Sequence, residues 1–297
     1  MIRLTFEDLT AGSTTHLAAV QEEINNQANF KEKAVRADLK WRAKRSTTVA
    51  KSTFTEIKSK LVAMCSGAEI CVYCEHNEAT DIEHIFPKRL YPNKCFLWGN
   101  YVLVCGKCNT HFKKEIFKIF SPAGSEIIQD TTPKRNVYTE PENDDALFIN
   151  QRVDDPMDYL ELDFLERTFY YIERPATGTR EYEKAKFTKE LLGLNRREDL
   201  VQHRKTAYKF YKGELQRYAA IQHINGMAEL LHLTDSFIDI FDAGGEFEVE
   251  KTSVLTAIRK RIESHSHPTI WKEMIRQRES LPETNQLFQQ VPDAVTW

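Results

Sequence analysis

Six cysteines, Cys65, Cys71, Cys74, Cys95, Cys105 and Cys108, fall in one 44-residue window, and the rest of the 297-residue chain has none. Four of them form two C-x-x-C pairs, CVYC at 71–74 and CGKC at 105–108, with 30 residues between. A disulfide scaffold would spread its bridges along a small secreted chain. Paired C-x-x-C turns instead present two sulfurs each, and two such turns close a tetrahedron around zinc at roughly 2.3 Å per bond. Two unrelated turns, or a redox pair, are the other readings of this spacing. A site closed by four thiolates has no open position, so the Zn²⁺ expected on Cys71, Cys74, Cys105 and Cys108 is structural. Cys65 and Cys95 are left as packing thiols.

Between the two turns the chain reads EHNEATDIEHIFPKRLYPNKCFLWGNYVLV, and CNTHFKK continues from the second. Glu83–His84 is an acid–imidazole pair followed by Ile85 and Pro87; Asn100 lies five residues before Cys105, and Asn109 follows Cys108 directly. Over about residues 69–116 the pattern IEHIFPK…WGNYVLVC…CN resembles the HNH nucleases, the ββα-metal (His-Me finger) family, in the subgroup with a supporting four-Cys zinc. The chemistry of the side chains agrees with that likeness. Phosphodiester hydrolysis needs an activated water, and an imidazole suits general-base work near neutrality. It also needs a hard divalent cation, which prefers carboxylate and amide oxygens to thiolates. His84 is therefore the candidate base, and Glu83 and Asn109 are candidate ligands of a catalytic Mg²⁺ or Mn²⁺. Adjacent residues of a strand point to opposite faces, so Glu83 and His84 share a site only where the backbone turns. The resemblance implies such a turn, at the end of the first strand of a ββα hairpin. It also implies that Asn100 orients the His84 ring through its amide oxygen without ligating metal.

Many members of that family carry Lys four residues after the second Cys of this turn. Here the position is Phe112, with Lys113 and Lys114 following. A helix starting near Asn109 would aim one of these lysines at a phosphate and bury Phe112, Ile116 and Phe117. Lys88 and Arg89, beyond Pro87, complete the candidate nucleic-acid contacts, and His111 is a possible further ligand or phosphate contact. ALFINQRVDDPMDYLELDF (146–164) and LLGLNRREDLVQHRK (191–205) resemble the C-terminal part of HNH proteins of Septu-type anti-phage systems, including those attached to retrons. That likeness implies an ABC/SMC-like ATPase partner.

The elements that must position these groups read as α+β, mostly α: a small ββα-metal core with structural zinc, flanked by helices. The segments are an N-terminal arm and helices (1–66), the nuclease core (67–120), a connecting loop with short strands (121–179), and a helical region with tail (180–297). Residues 15–45 read as helix, and 47–65 as a second helix on the spacing of Phe54, Ile57, Leu61 and Val62. Between 31 and 60 ten Lys/Arg face three acids, with Trp41 inside KWRAKR, which is either a solvated face or a phosphate-contacting element. Residues 121–145 read as loop, and YLELDF and TFYYIE as strands. Asn195 and Glu198 have the N-cap and N3 spacing of a helix whose face carries Leu200, Ala207, Tyr208, Tyr211, Leu215 and Tyr218. Further helices are expected over 225–241, 250–264 and 268–279. The tail from 280 is expected to be loosely ordered, although Phe288 and Trp297 are unusual for a solvated end.

A net charge of −3 argues against nonspecific coating of nucleic acid and leaves room for a local basic groove. No apolar run reaches the ~18–20 residues of a membrane helix, and the start lacks an apolar signal region, so a cytoplasmic protein without membrane partners is expected. The expected function is a metal-dependent endonuclease that nicks DNA as the effector of an anti-phage system. An RNase with the same site, acting for example on transfer RNA, and a non-catalytic zinc module binding nucleic acid or protein are the alternatives.

Overall fold

A computed structural model describes the chain apart from residues 66–67, 77, 123, 135–136 and 235–243, and describes only the backbone of 124–127. The architecture is α+β and mostly helical, in two compact units, 1–161 with 171–197 and 162–170 with 198–297. No helix among the described residues is long and apolar enough to cross a membrane.

The first unit begins with α1 (Ala11–Asn25), α2 (Phe30–Arg42) and α3 (Thr48–Met64). The expected single helix over 15–45 is two, because Asn29 adopts an extended backbone and caps α2. Its side chain accepts from Glu32 N–H and donates to the Glu32 carboxylate. The predicted helix over 47–65 is α3, capped by Thr47, with Phe54, Ile57 and Leu61 fully buried.

Strands β1 (Ala79–His84) and β2 (Tyr101–Cys105) pair antiparallel, with His84 opposite Tyr101 and Glu83 opposite Val102. An irregularity at Ala79–Asp81 puts Ala79 opposite Cys105, which brings the chain entering β1 beside the chain leaving β2. After β2 the expected α-helix is replaced by a π-helical turn, Lys107–Lys113. Its wide turn is closed by Lys114 N–H donating to the Asn109 carbonyl at 2.8 Å, and Lys114 has φ 49°. Of the residues expected on the buried face of that helix, Phe117 is buried and Phe112 and Ile116 are half-buried. The region expected to be loop holds a hairpin, β3 (Lys118–Ser121) with β4 (Gly124–Asp130). Short helix α4 (Pro156–Tyr159) and strands β5 (Leu160–Leu162) and β6 (Tyr171–Glu173) follow, the strands where YLELDF and TFYYIE place them. Helix α5 (Arg180–Leu191) completes the unit.

The second unit is built on α6 (Glu198–Gln222), with α7 (Met227–Leu233), α8 (Phe247–Ser264), α9 (Pro268–Arg276) and α10 (Pro282–Gln290). Leu200, Ala207, Tyr211 and Leu215 of α6 are buried, and Tyr208 and Tyr218 are half-buried on the same helix. Asn195 does not cap α6; its amide makes both of its hydrogen bonds to the Tyr171 backbone. Part of the helix expected over 225–241 lies outside the described residues. The tail is ordered, against expectation: Phe288 lies 5.4 Å from the Trp271 ring, and Trp297 stacks on Trp271 at 6.2 Å and meets Tyr218 at 4.9 Å. Burying those aromatics gives the last turns their stabilisation.

Candidate metal centre and adjoining pocket

Strand pairing carries the two C-x-x-C turns together. Val72 N–H donates to the Leu103 carbonyl at 3.0 Å, which docks the first turn against β2, and Cys105 is the last residue of β2. The Sγ atoms of Cys71, Cys74, Cys105 and Cys108 all lie within 4.8 Å of one another, and all four residues are buried. The Cys74 and Cys105 sulfurs are 3.8 Å apart. A zinc tetrahedron with bonds of about 2.3 Å has edges of about 3.8 Å, so four sulfurs at this spacing could bind a structural zinc. Burial, reinforced by the neighbouring sulfurs, pushes the Cys71 thiol up. Cys105 Sγ accepts the Cys108 N–H at 3.5 Å, and Cys108 Sγ accepts a guanidinium N–H of buried Arg197 at 3.3 Å.

Arg197 reaches the cluster from the segment after α5. Gly193 there has φ 60°, and a Cβ on it would lie 2.6 Å from the Phe112 ring. Only glycine allows both the left-handed turn and that approach. The Arg197 guanidinium lies 5.1 Å from the same ring. Cys65 and Cys95 are buried apart from the cluster, and burial pushes each thiol up to about 12.

His84 is the last residue of β1, and the chain turns immediately after it, with Ile85 N–H donating to the Asn100 carbonyl. Glu83, His84 and Asn109 line one pocket of about 240 Å³, together with Pro87, Lys88, Thr110, Lys114 and Glu115. His84 Nε2 lies 2.9 Å from the Cys95 carbonyl, which also accepts from the Tyr101 hydroxyl at 2.8 Å. A carbonyl only accepts, so Nε2 carries the proton and Nδ1 holds the lone pair of the neutral ring. Burial, offset in part by that bond and reinforced by Lys88, Lys113 and Lys44, pushes His84 down to about 3, so the ring is neutral at neutral pH. The imidazole lies 4.2 Å from Trp41 of α2 and 5.4 Å from Tyr101, and Trp41 itself packs against Phe54 of α3 and Phe96.

Asn100 corrects an expectation. Its Oδ1 accepts from Phe86 N–H at 2.8 Å, and its Nδ2 donates to the Phe86 and Lys94 carbonyls. It therefore staples the loop that carries the Cys95 carbonyl, and its amide oxygen does not touch His84. Lys113 is corrected as well. It is fully buried, and its Nζ donates to Glu83 Oε1 at 2.7 Å and to the His84 carbonyl at 2.8 Å, so it faces the protein and not a phosphate. The π turn is the reason, since one extra residue per turn rotates Lys113 inward. Lys114 is exposed at the pocket, Lys88 lines it, and Arg89 pairs with Glu115 at 3.3 Å. His111 is exposed against Phe112 and does not line the pocket.

Sequence reasoning missed Asp81, whose Oδ2 accepts from Asn109 Nδ2 at 2.9 Å. The two-residue period of β1 puts Asp81 on the same strand face as Glu83 and could have revealed it. With its amide nitrogen so engaged, Asn109 keeps its oxygen as an acceptor, and Glu83 keeps Oε2. Carboxylate and amide oxygens of this kind fit a hard divalent cation, while the Lys113 ammonium on Glu83 Oε1 competes with one.

Comparison of the chain with protein-family models, with curated proteins and with solved structures returns no match.

Proposed function

We propose that this protein is a metal-dependent endonuclease of the HNH type, acting on DNA. The observation that carries the reading is the convergence of Glu83, His84 and Asn109 on one pocket, with the His84 lone pair confined to Nδ1 by the Cys95 carbonyl. Glu83 and Asn109 would hold Mg²⁺ or Mn²⁺, which would supply charge stabilisation to the phosphate and leaving oxygen. His84 Nδ1 takes a proton from the attacking water as the water oxygen bonds to phosphorus. The P–O3′ bond breaks, leaving 5′-phosphate and 3′-hydroxyl ends. Because burial weakens His84 as a base, proton transfer accompanies attack and does not precede it. Cys71, Cys74, Cys105 and Cys108 would hold a Zn²⁺, which would fix the hairpin that carries these residues. One such site nicks one strand; a double-strand cut needs two copies or a second attack.

The reading extends to anti-phage defence of the Septu type, with an ABC/SMC-like ATPase as partner, on the likeness of residues 146–164 and 191–205. Arg152 of the first segment donates to the Trp98 and Tyr101 carbonyls, so part of that likeness serves the core itself.

A second reading, a non-catalytic zinc module, is favoured by one observation, the Lys113–Glu83 ion pair, which already neutralises the candidate ligand. Incubation with supercoiled plasmid, phage DNA and total RNA separates the readings, with Mg²⁺ or Mn²⁺ and with or without the adjacent gene's product. The nuclease reading expects nicked plasmid, and loss of nicking in His84→Ala at unchanged zinc content. Cleavage of RNA alone would move the substrate to RNA. A wild-type protein inert in every arm would leave the binding module.

A further inference from the structure

Asp81 is half-buried on β1, two residues before Glu83 and on the same strand face. The bulge in β1 falls just before it: Asp81 stands opposite Val104 and Ala79 opposite Cys105, which leaves Thr80 as the extra residue. The side chain lies over the turn that leaves β2, where a Cβ on Gly106 would be 3.9 Å from Asp81 Oδ2. That same oxygen accepts from Asn109 Nδ2 at 2.9 Å. Its other oxygen, Oδ1, accepts from the hydroxyl of its neighbour Thr80 at 3.2 Å. Asp81 makes no ion pair among the described residues.

A carboxylate that has no cationic partner and shares a strand face with Glu83 gains little stability from its position. What it gains is control of an amide. An asparagine amide has two ends of similar size and opposite character, and a hard cation takes only the oxygen. A carboxylate only accepts, so Asp81 holds the nitrogen end and leaves Oδ1 for the pocket that Asn109 lines. A hydrogen bond to a charged acceptor also draws electron density toward the amide oxygen, which makes that oxygen the better ligand.

We infer that Asp81 is a positioning residue of the candidate cation site: it fixes which end of the Asn109 amide meets the cation. That role rests on the reading of Asn109 as a ligand of Mg²⁺ or Mn²⁺, and not on what the site cleaves. Asp81 touches neither substrate nor cation; it acts through Asn109.

The test measures Mn²⁺ binding to the full, zinc-loaded chain, with free Mn²⁺ read by electron paramagnetic resonance. Asp81→Asn is made in wild type and in Asn109→Asp. Asparagine at 81 keeps the size of the side chain and can accept from the Asn109 amide or donate to it, so that amide is free to reverse. Removing an outer partner of a metal ligand typically costs about 10–100-fold in affinity. Asp81→Asn is therefore expected to weaken Mn²⁺ binding about tenfold or more in wild type. In Asn109→Asp both ends of the side chain are oxygens and no orientation is left to set. The same change there should cost less than about threefold. A role in folding alone, or attraction by the Asp81 charge alone, gives the same loss in both backgrounds. Equal losses, no loss in wild type, or no Mn²⁺ bound by wild type overturn the positioning role. Asn109→Asp should itself bind Mn²⁺ at least as tightly as wild type, and failure to do so removes Asn109 as a ligand and the role of Asp81 with it. Melting temperature and zinc content should stay at wild-type values in Asp81→Asn. Plasmid nicking followed in parallel keeps the two claims apart. Nicking by wild type, with equal losses in the two backgrounds, keeps the nuclease and removes the positioning role. A loss confined to the Asn109 background, in a chain that nicks nothing, keeps the positioning role and removes the nuclease.

Discussion

The Arg197 guanidinium donates to the Cys108 sulfur at 3.3 Å from a position 6 % exposed, 89 residues further along the chain. Four thiolates around one divalent cation leave an excess of negative charge in a buried place. A guanidinium against one of the sulfurs reduces that excess and fixes the turn that bears Cys108. Partners of this kind around a metal site are typically worth 10–100-fold in affinity. Arg197→Met is therefore expected to lower zinc affinity by about that factor in a chelator competition, and Arg197→Lys by less. Equal zinc retention in Arg197→Met and wild type would reduce the contact to packing against Phe112.

In the second unit, His265 stacks on Phe210 at 3.9 Å, and burial, then the charge of Arg261, pushes it down to about 4 from 6.5. Between those values the unfolded chain binds the proton and the folded chain does not. Stability therefore falls as pH falls through this window, and is retained above it. His84, held at about 3, acts in the same sense. Phenylalanine at 265 keeps the stack and removes the titration, so melting temperature measured from pH 7 to pH 4 should decline less steeply in His265→Phe. Parallel curves for the two proteins would take His265 out of the acid response.

The sequence made legible what is local. The two C-x-x-C turns, the spacing of α3 and the short strands near 160 and 171 follow from residue types at fixed intervals, and the structure has them in place. What depended on long-range pairing was not legible. Nothing near Asn195 says that its amide would be taken by Tyr171, which removes it from the cap of α6. The amide of Asn100 and the carbonyl of Cys95 exchange roles for the same reason: a loop closes between them, and loop closure leaves no period in the sequence. Lys113 stands one residue beyond the spacing of the nucleases that this segment resembles. The consequence, a π turn that buries the lysine, needed the fold. The order of the tail was not legible because the partners of Trp297 and Phe288, Trp271 and Tyr218, lie on other helices.

Lys113 bears most directly on function. Its ammonium satisfies both Glu83 Oε1 and the His84 carbonyl, and its removal takes that donor from a half-buried carboxylate and a buried carbonyl. Breaking a buried ion pair costs about 3–5 kcal/mol. Glu83 is 12 % exposed and can take up water, so Lys113→Met is expected near the lower end, about 3 kcal/mol. If Glu83 is a cation ligand, the vacated carboxylate should bind Mg²⁺ or Mn²⁺ more tightly. Millimolar metal should then raise the melting temperature of Lys113→Met more than that of wild type, and Glu83→Gln added to Lys113→Met should abolish the gain. A melting temperature indifferent to metal in Lys113→Met would place Glu83 outside any cation site, and the ion pair would then be a structural feature of a zinc-stabilised binding module.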